Sequence, residues 1–194
     1  MARPKEFIRE DALEKAITVF ANHGFAGAST DTLRHAMGLS RQSMYDTFGD
    51  KRSLYLEALR RYNSASVAAI IRTLLHEENP LRAIELALQQ FAAQAAKHDN
   101  FGCMGLNSIC EFGTSDNDVN AINAASGQAL LSAFEQAISR GQQGGVICRT
   151  LNAADTAHYL NMTLAGLKLR ARAGVDVMQQ QAMIQLALRA LKAA

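Results

Sequence analysis

Apolar residues return every third or fourth position along most of this chain, and the alternating pattern of a half-buried strand is hard to find. Phe7, Leu13, Ala16, Ile17 and Phe20 set the rhythm in the first stretch, with charged residues filling the other positions. This spacing predicts a helix from about Glu6 to His23, stopped by Gly24. Ser29 or Thr30 then caps a second and very short helix, with Asp31 favourable at its positive end and Leu33, Ala36 and Met37 on its inner face. Gly38 ends it. Ser40 caps a third helix from Arg41 to about Thr47, and Gly49-Asp50 opens a long fourth that reaches about His76.

Beyond His76 the pattern stays helical. Asn79-Pro80 is a cap followed by proline in the first turn, which starts a fifth helix running to about Lys97. "FGCMGLNSICEFG" reads as a compact sixth ending at Gly113, and a long seventh follows, its end marked by Gly141, Gly144 and Gly145. Asn152 caps an eighth up to about Arg172, and Gly174 separates it from a ninth reaching Leu191. The expected fold is therefore all-α with nine helices, divided into a small helical head (1–50, continuing into helix four to about 62) and a larger bundle (63–194).

The short third helix carries the most specific chemistry. Two short helices joined by a glycine turn form a helix-turn-helix, whose second helix enters a major groove. Leu33 and Met37 face in from the first helix, Leu39 plugs the turn, and Met44 and Phe48 anchor the second. Arg41, Gln42, Ser43 and Tyr45 are then left outside. Arginine reaches guanine and glutamine reaches adenine bidentately, while Tyr45, Ser40 and Thr30 are suited to phosphate oxygens. Lys51 sits in the first turn of a helix, where the macrodipole disfavours a cation, so its placement makes sense beside a bound anion. Arg3 and Lys5, flanking Pro4, would form a basic arm.

Composition adds restraint. The net charge is only +2, all of it within residues 1–62, so no broad basic field announces a nucleic-acid partner. No apolar run reaches the roughly 20 residues of a membrane span. The first residues lack a hydrophobic signal core, and both features predict a cytoplasmic protein. Three cysteines without C-x-x-C spacing fit a reducing compartment. The five histidines never pair at i,i+4 on one helix, and neither a nucleophile elbow nor a phosphate-cradling glycine loop is present. The sequence thus predicts no metal, no cofactor and no enzyme.

Residues 9–62 resemble the N-terminal domain of the TetR/AcrR family of transcriptional regulators. The likeness rests on F-x-x-x-G-F at Phe20–Phe25, on Ser29-Thr30 ahead of Leu33, and on G-L-S-R-x-S-x-Y-x-x-F-G-D-K from Gly38 to Lys51. "LAGLKLRARAG" (164–174) is similar to the penultimate helix of many such proteins. The resemblance implies a homodimer on a palindromic operator of double-stranded DNA, acting as a repressor released by a small-molecule effector. It also implies that Thr30, Ser40, Arg41, Gln42, Ser43, Tyr45 and Lys51 touch DNA. Asp46 departs from the family pattern, which more often has a neutral or basic residue there.

In the larger bundle, Phe91, Phe101, Met104, Asn107, Cys110, Phe134, His158 and Met162 are candidates to line an effector cavity, apolar with a few polar groups. Asn107 and Glu111 share a helix face, so one of them is expected to turn inward as a hydrogen-bonding handle. Tyr159, Met162, Thr163, Gly166 and Leu167 on the eighth helix, with Met178, Ile184, Leu188 and Leu191 on the ninth, are candidates for a four-helix dimer interface. Cys103 and Cys110 lie two helical turns apart, roughly 10 Å, too far for a disulfide. Cys103, near a helix N-terminus, is the candidate for a redox or electrophile sensor. Two competing readings remain: a thiol-responsive repressor, and a helical interaction module that does not bind DNA.

Overall fold

The computed structural model describes residues 8–97, 103–174 and 176–193, with only the backbone of 91–97 and Arg172. Among the described residues there are nine α-helices: α1 (Arg9–Gly27), α2 (Thr30–Met37), α3 (Arg41–Phe48), α4 (Lys51–His76), α5 (Pro80–Lys97), α6 (Met104–Phe112), α7 (Asn117–Gln143), α8 (Ala153–Arg172) and α9 (Val177–Leu191). Arg3, Lys5 and Phe101, and the side chain of Phe91, lie outside the described residues. None of the described helices is long and apolar enough to cross a membrane.

The described residues fall into two compact units, one drawn from 1–63 and 102–123, the other from 64–101 and 124–194. This division differs from a single cut near residue 62, because α6 belongs with the first three helices. Its cause is local: α6 packs along α1, and Phe112 meets the rings of Phe25 and Tyr55 at 5.7 and 5.6 Å. Around them Phe20, Leu33, Met44, Leu54 and Leu59 are almost fully buried. A polar chain crosses the same unit: Asn63 donates to Asn123 (3.0 Å), Asn123 to Ser108 (2.9 Å), and Ser108 to the Gly105 carbonyl (2.7 Å). Each buried amide or hydroxyl thereby keeps a partner, which offsets the cost of taking it from water.

In the second unit α5 packs against both α8 and α9. Ile84, Leu88, Phe134, Ile138, Leu160, Leu164, Ile184 and Leu188 form its core. The Arg140 guanidinium donates to the Leu74 carbonyl at 2.6 Å, capping the last turn of α4 with a cation where the macrodipole is negative. Gly141 lies inside α7 rather than at its end. A Cβ there would come within 2.5 Å of the Ile147 side chain, so its glycine makes room for the returning chain.

Candidate nucleic-acid interface

The helix-turn-helix is built as the spacing of its apolar residues predicts. Leu33, Met37, Leu39, Met44 and Phe48 are all buried, which fixes α2 and α3 against α1 and α4. The backbone ends are closed by serines. Ser29 Oγ accepts from the Thr32 amide at 3.0 Å and Ser40 Oγ from the Ser43 amide at 3.1 Å. Ser29 is thus the cap of α2, and Thr30 is its first, half-buried residue. At the turn, Gly38 and Leu39 donate to the carbonyls of His35 and Arg34. Capping of this kind contributes about 1 kcal/mol per helix, which matters for elements of only eight residues.

With its apolar side locked, α3 presents Arg41 and Gln42 to solvent, with Ser43 and Tyr45 half-exposed. The Arg41 guanidinium stands 5.9 Å from the Tyr45 ring centroid. The Gln42 amide nitrogen donates to Asp46 Oδ1 at 2.7 Å. That bond gives Asp46 a structural partner one turn along α3 and holds the Gln42 amide in one orientation. One N–H and the carbonyl oxygen of Gln42 remain for a second partner. The Ser40 and Ser43 hydroxyls are paired at 2.8 Å.

Lys51 opens α4, and its Nζ lies 4.5 Å from the centroid of the Phe25 ring. Its neighbour Arg52 is instead engaged by Asp116 and Asp118, the latter at 2.7 Å. The hydrogen bonds from Arg52 hold the Asp116 carboxyl down to about 2. Asp50 accepts the Ser53 amide at 2.7 Å, a bond that lowers its own pKa and caps α4. The first turn of α4 therefore places a lysine on an aromatic face beside an arginine held by two carboxylates.

The sequence of this head decides the family. Residues 12–58 match the profile of the bacterial regulatory proteins of the tetR family. The chain is 29% identical to the HTH-type transcriptional regulator YezE of Bacillus subtilis, over 98% of this chain and 100% of that one. It is 28% identical to the HTH-type transcriptional repressor ComR of Escherichia coli, over 90% of this chain and 84% of that one. The chain carries the DNA-binding domain of the TetR family. It is a DNA-binding transcriptional regulator. Among solved structures it is similar to the TetR family regulator CifR, a cysteine variant complexed with 26-bp double-strand operator DNA. The two share 26% identity and a TM-score of 0.81, over 97% of this chain and 99% of that one.

The remaining candidate residues are divided between the two units. Met104, Asn107, Cys110 and Glu111 belong to the first unit, and Phe134, His158 and Met162 to the second. Met104 and Phe134 are buried in the separate cores of these units. Asn107 and Glu111, one of which is expected as an inward handle, both bond to the backbone of α1. The Asn107 amide donates to the Ala21 carbonyl at 2.9 Å. The Glu111 carboxylate accepts from the amides of Phe25 and Ala26 at 2.8 and 2.6 Å. Cys110, His158 and Met162 are exposed. Cys103 is the N-cap of α6, its sulfur accepting the Leu106 amide at 3.4 Å, and none of the three cysteines is in a disulfide.

The dimer candidates divide by side of the helix. Ile184, Leu188 and Leu191, expected to meet a partner, are buried in the core of their own unit at 1, 4 and 1% exposure. The outer side of α9 carries Met178, Met183 and Leu186, of which the last two pass unmentioned by periodicity, since α9 has two apolar stripes. Between α8 and α9 runs an open groove of about 620 Å³, lined by Tyr159, Thr163, Gly166, Leu167, Met183 and Leu186 among others.

Proposed function

We propose that this regulator is a cytoplasmic homodimeric repressor that binds a palindromic operator with α3 in the major groove and releases it when a small-molecule effector binds. The observation that carries the reading is the two-sided construction of α3. Met44 and Phe48 are buried while Arg41 and Gln42, near the capped end, are exposed. Operator-bound CifR, similar along nearly the whole chain, supports it. Dimerisation is supported by the uncovered apolar side of α8 and α9, and by the need for two half-sites, since one short helix reads too few base pairs. Arg41 is assigned to guanine, Gln42 to adenine, and Thr30, Ser40, Ser43, Tyr45 and Lys51 to backbone phosphates.

The test selects duplexes from a random pool with the full-length protein, then measures binding by fluorescence anisotropy across a salt series. Arg41→Ala is expected to cost about 1–3 kcal/mol and to relax base preference at one or two positions per half-site. Lys51→Ala is expected to weaken all duplexes alike and flatten the salt dependence by about one unit per subunit. No enrichment from the pool would sink the reading, and enrichment with both variants unaffected would sink the contact assignment. A thermal-shift screen of small metabolites then identifies the effector as the compound that raises the melting temperature and lowers operator affinity.

A further inference from the structure

Glu111, on α6, closes on two consecutive backbone amides of α1, those of Phe25 and Ala26. The reason lies in Gly24, whose φ of 69° and ψ of −177° break α1 and leave the next amides without helical carbonyls to meet. A Cβ at Gly24 would come within 2.8 Å of Glu111 Oε2, so glycine both permits the break and admits the carboxylate. The break turns Phe25 so that its ring meets Tyr55 and Phe112 and also faces the ammonium of Lys51. The positive charge assigned to a phosphate thus rests on a ring whose own backbone is held by Glu111.

We propose that Glu111 and Phe25 are positioning residues for DNA binding: the carboxylate fixes the Phe25 backbone at the Gly24 break, and the ring fixes the Lys51 ammonium where it meets a phosphate. This rests on the DNA-binding reading of the head and deepens it. A cation on an aromatic face keeps its N–H groups on the far side available, so the ring restricts the long lysine side chain without consuming its donors. A lysine fixed in advance loses less side-chain entropy when it binds. The negative carboxylate also adds to the burial that raises the Tyr55 pKa, a sign that its charge is felt inside this cluster.

The experiment uses the full-length protein and the best duplex the wild type enriches from a random pool. Glu111→Gln keeps the size of the side chain but removes its charge and one acceptor, and Phe25→Leu removes the ring. Each is expected to weaken binding by about tenfold and to reduce the salt slope by close to one unit per subunit, as a lost phosphate contact would. In a Lys51→Ala background neither is expected to weaken binding further, because the contact they serve is already gone. Circular dichroism melts identify any variant that fails to fold, and the other then carries the test. Either variant weakening binding equally in both backgrounds, or leaving the salt slope unchanged, would overturn the proposal and reduce Glu111 to a packing role. Wild-type protein that enriches no duplex would instead fail the underlying reading, so the two failures are distinct.

Discussion

Helices α3 and α9 each leave one side uncovered, and the two sides are made of different materials. α3 exposes Arg41, Gln42 and Asp46, side chains that are comfortable in water and already partly paired with one another. α9 exposes Val177, Met178, Met183 and Leu186, between 57 and 75% open, and α8 adds Met162 at 77% and Leu169 at 64%. Water does not penalise the first arrangement, and a charged, hydrated partner leaves it equally comfortable. Water does penalise the second, and exposed apolar side chains gathered on two neighbouring helices mark an interaction surface. The contrast is what the proposed function asks for: DNA against α3, and a second copy of the chain against α8 and α9.

The hardest test of that assignment puts charge on the apolar side. Met183→Asp with Leu186→Asp is expected to separate the subunits, read by sedimentation equilibrium. Operator affinity should fall by about a thousandfold, since each monomer then engages a single half-site. Melting temperature should fall only by what dimerisation contributed and lose its dependence on protein concentration, because neither residue belongs to the core. A doubly charged variant that remained a dimer would break the comparison at its strongest point. Met44→Ala probes the other side from within. Met44 is 1% exposed, so the truncation should destabilise the head by about 3 kcal/mol and remove binding to every duplex, while leaving the dimer intact.

These two tests draw on very different amounts of sequence information. All nine helices were legible, because caps such as Ser40, Asn79 and Asn152 and the apolar spacing point the same way. The packing of the head was legible too, since only one stripe of α3 is apolar. α9 defeated the same reasoning. It carries one stripe of Ile184, Leu188 and Leu191 and another of Met183 and Leu186, and periodicity alone does not say which turns inward. The role of α6 was hidden for another reason. Glu111 meets Phe25 across 86 residues of chain, and no local spacing encodes a contact that the tertiary fold creates.

Acid offers a smaller way to separate the two sides. Asp116 is held near 2 by its hydrogen bonds with Arg52, against an ordinary value of 3.8, so its carboxylate favours the folded head. A depressed folded-state pKa contributes stability that is complete above the unfolded value and disappears as pH falls through the folded one. The melting temperature of the head should therefore decline between about pH 4 and pH 2, and Asp116→Asn should flatten that decline. The outer side of α8 and α9 gains nothing from this ion pair. Light scattering on the Asp116→Asn variant at neutral pH should therefore report an unchanged dimer.

The smallest expected effect belongs to Asp46, the acidic residue on a helix that approaches phosphates. Removing one negative charge per subunit should raise affinity for random duplex by about two- to fivefold at low salt. On charge alone the operator would gain as much. The hydrogen bond from Gln42 argues otherwise, because Asp46 fixes the amide proposed to read a base edge, and a freed glutamine must be ordered again on binding. Asp46→Ala should therefore bind random DNA more tightly than wild type yet lose roughly half or more of its preference for the selected sequence, chiefly at the position Gln42 reads. Parallel titrations of the selected duplex and a scrambled one measure that ratio directly. Equal gains on both would mean that Asp46 is only a misplaced charge. A falling ratio would mean that the acidic residue exchanges some affinity for discrimination.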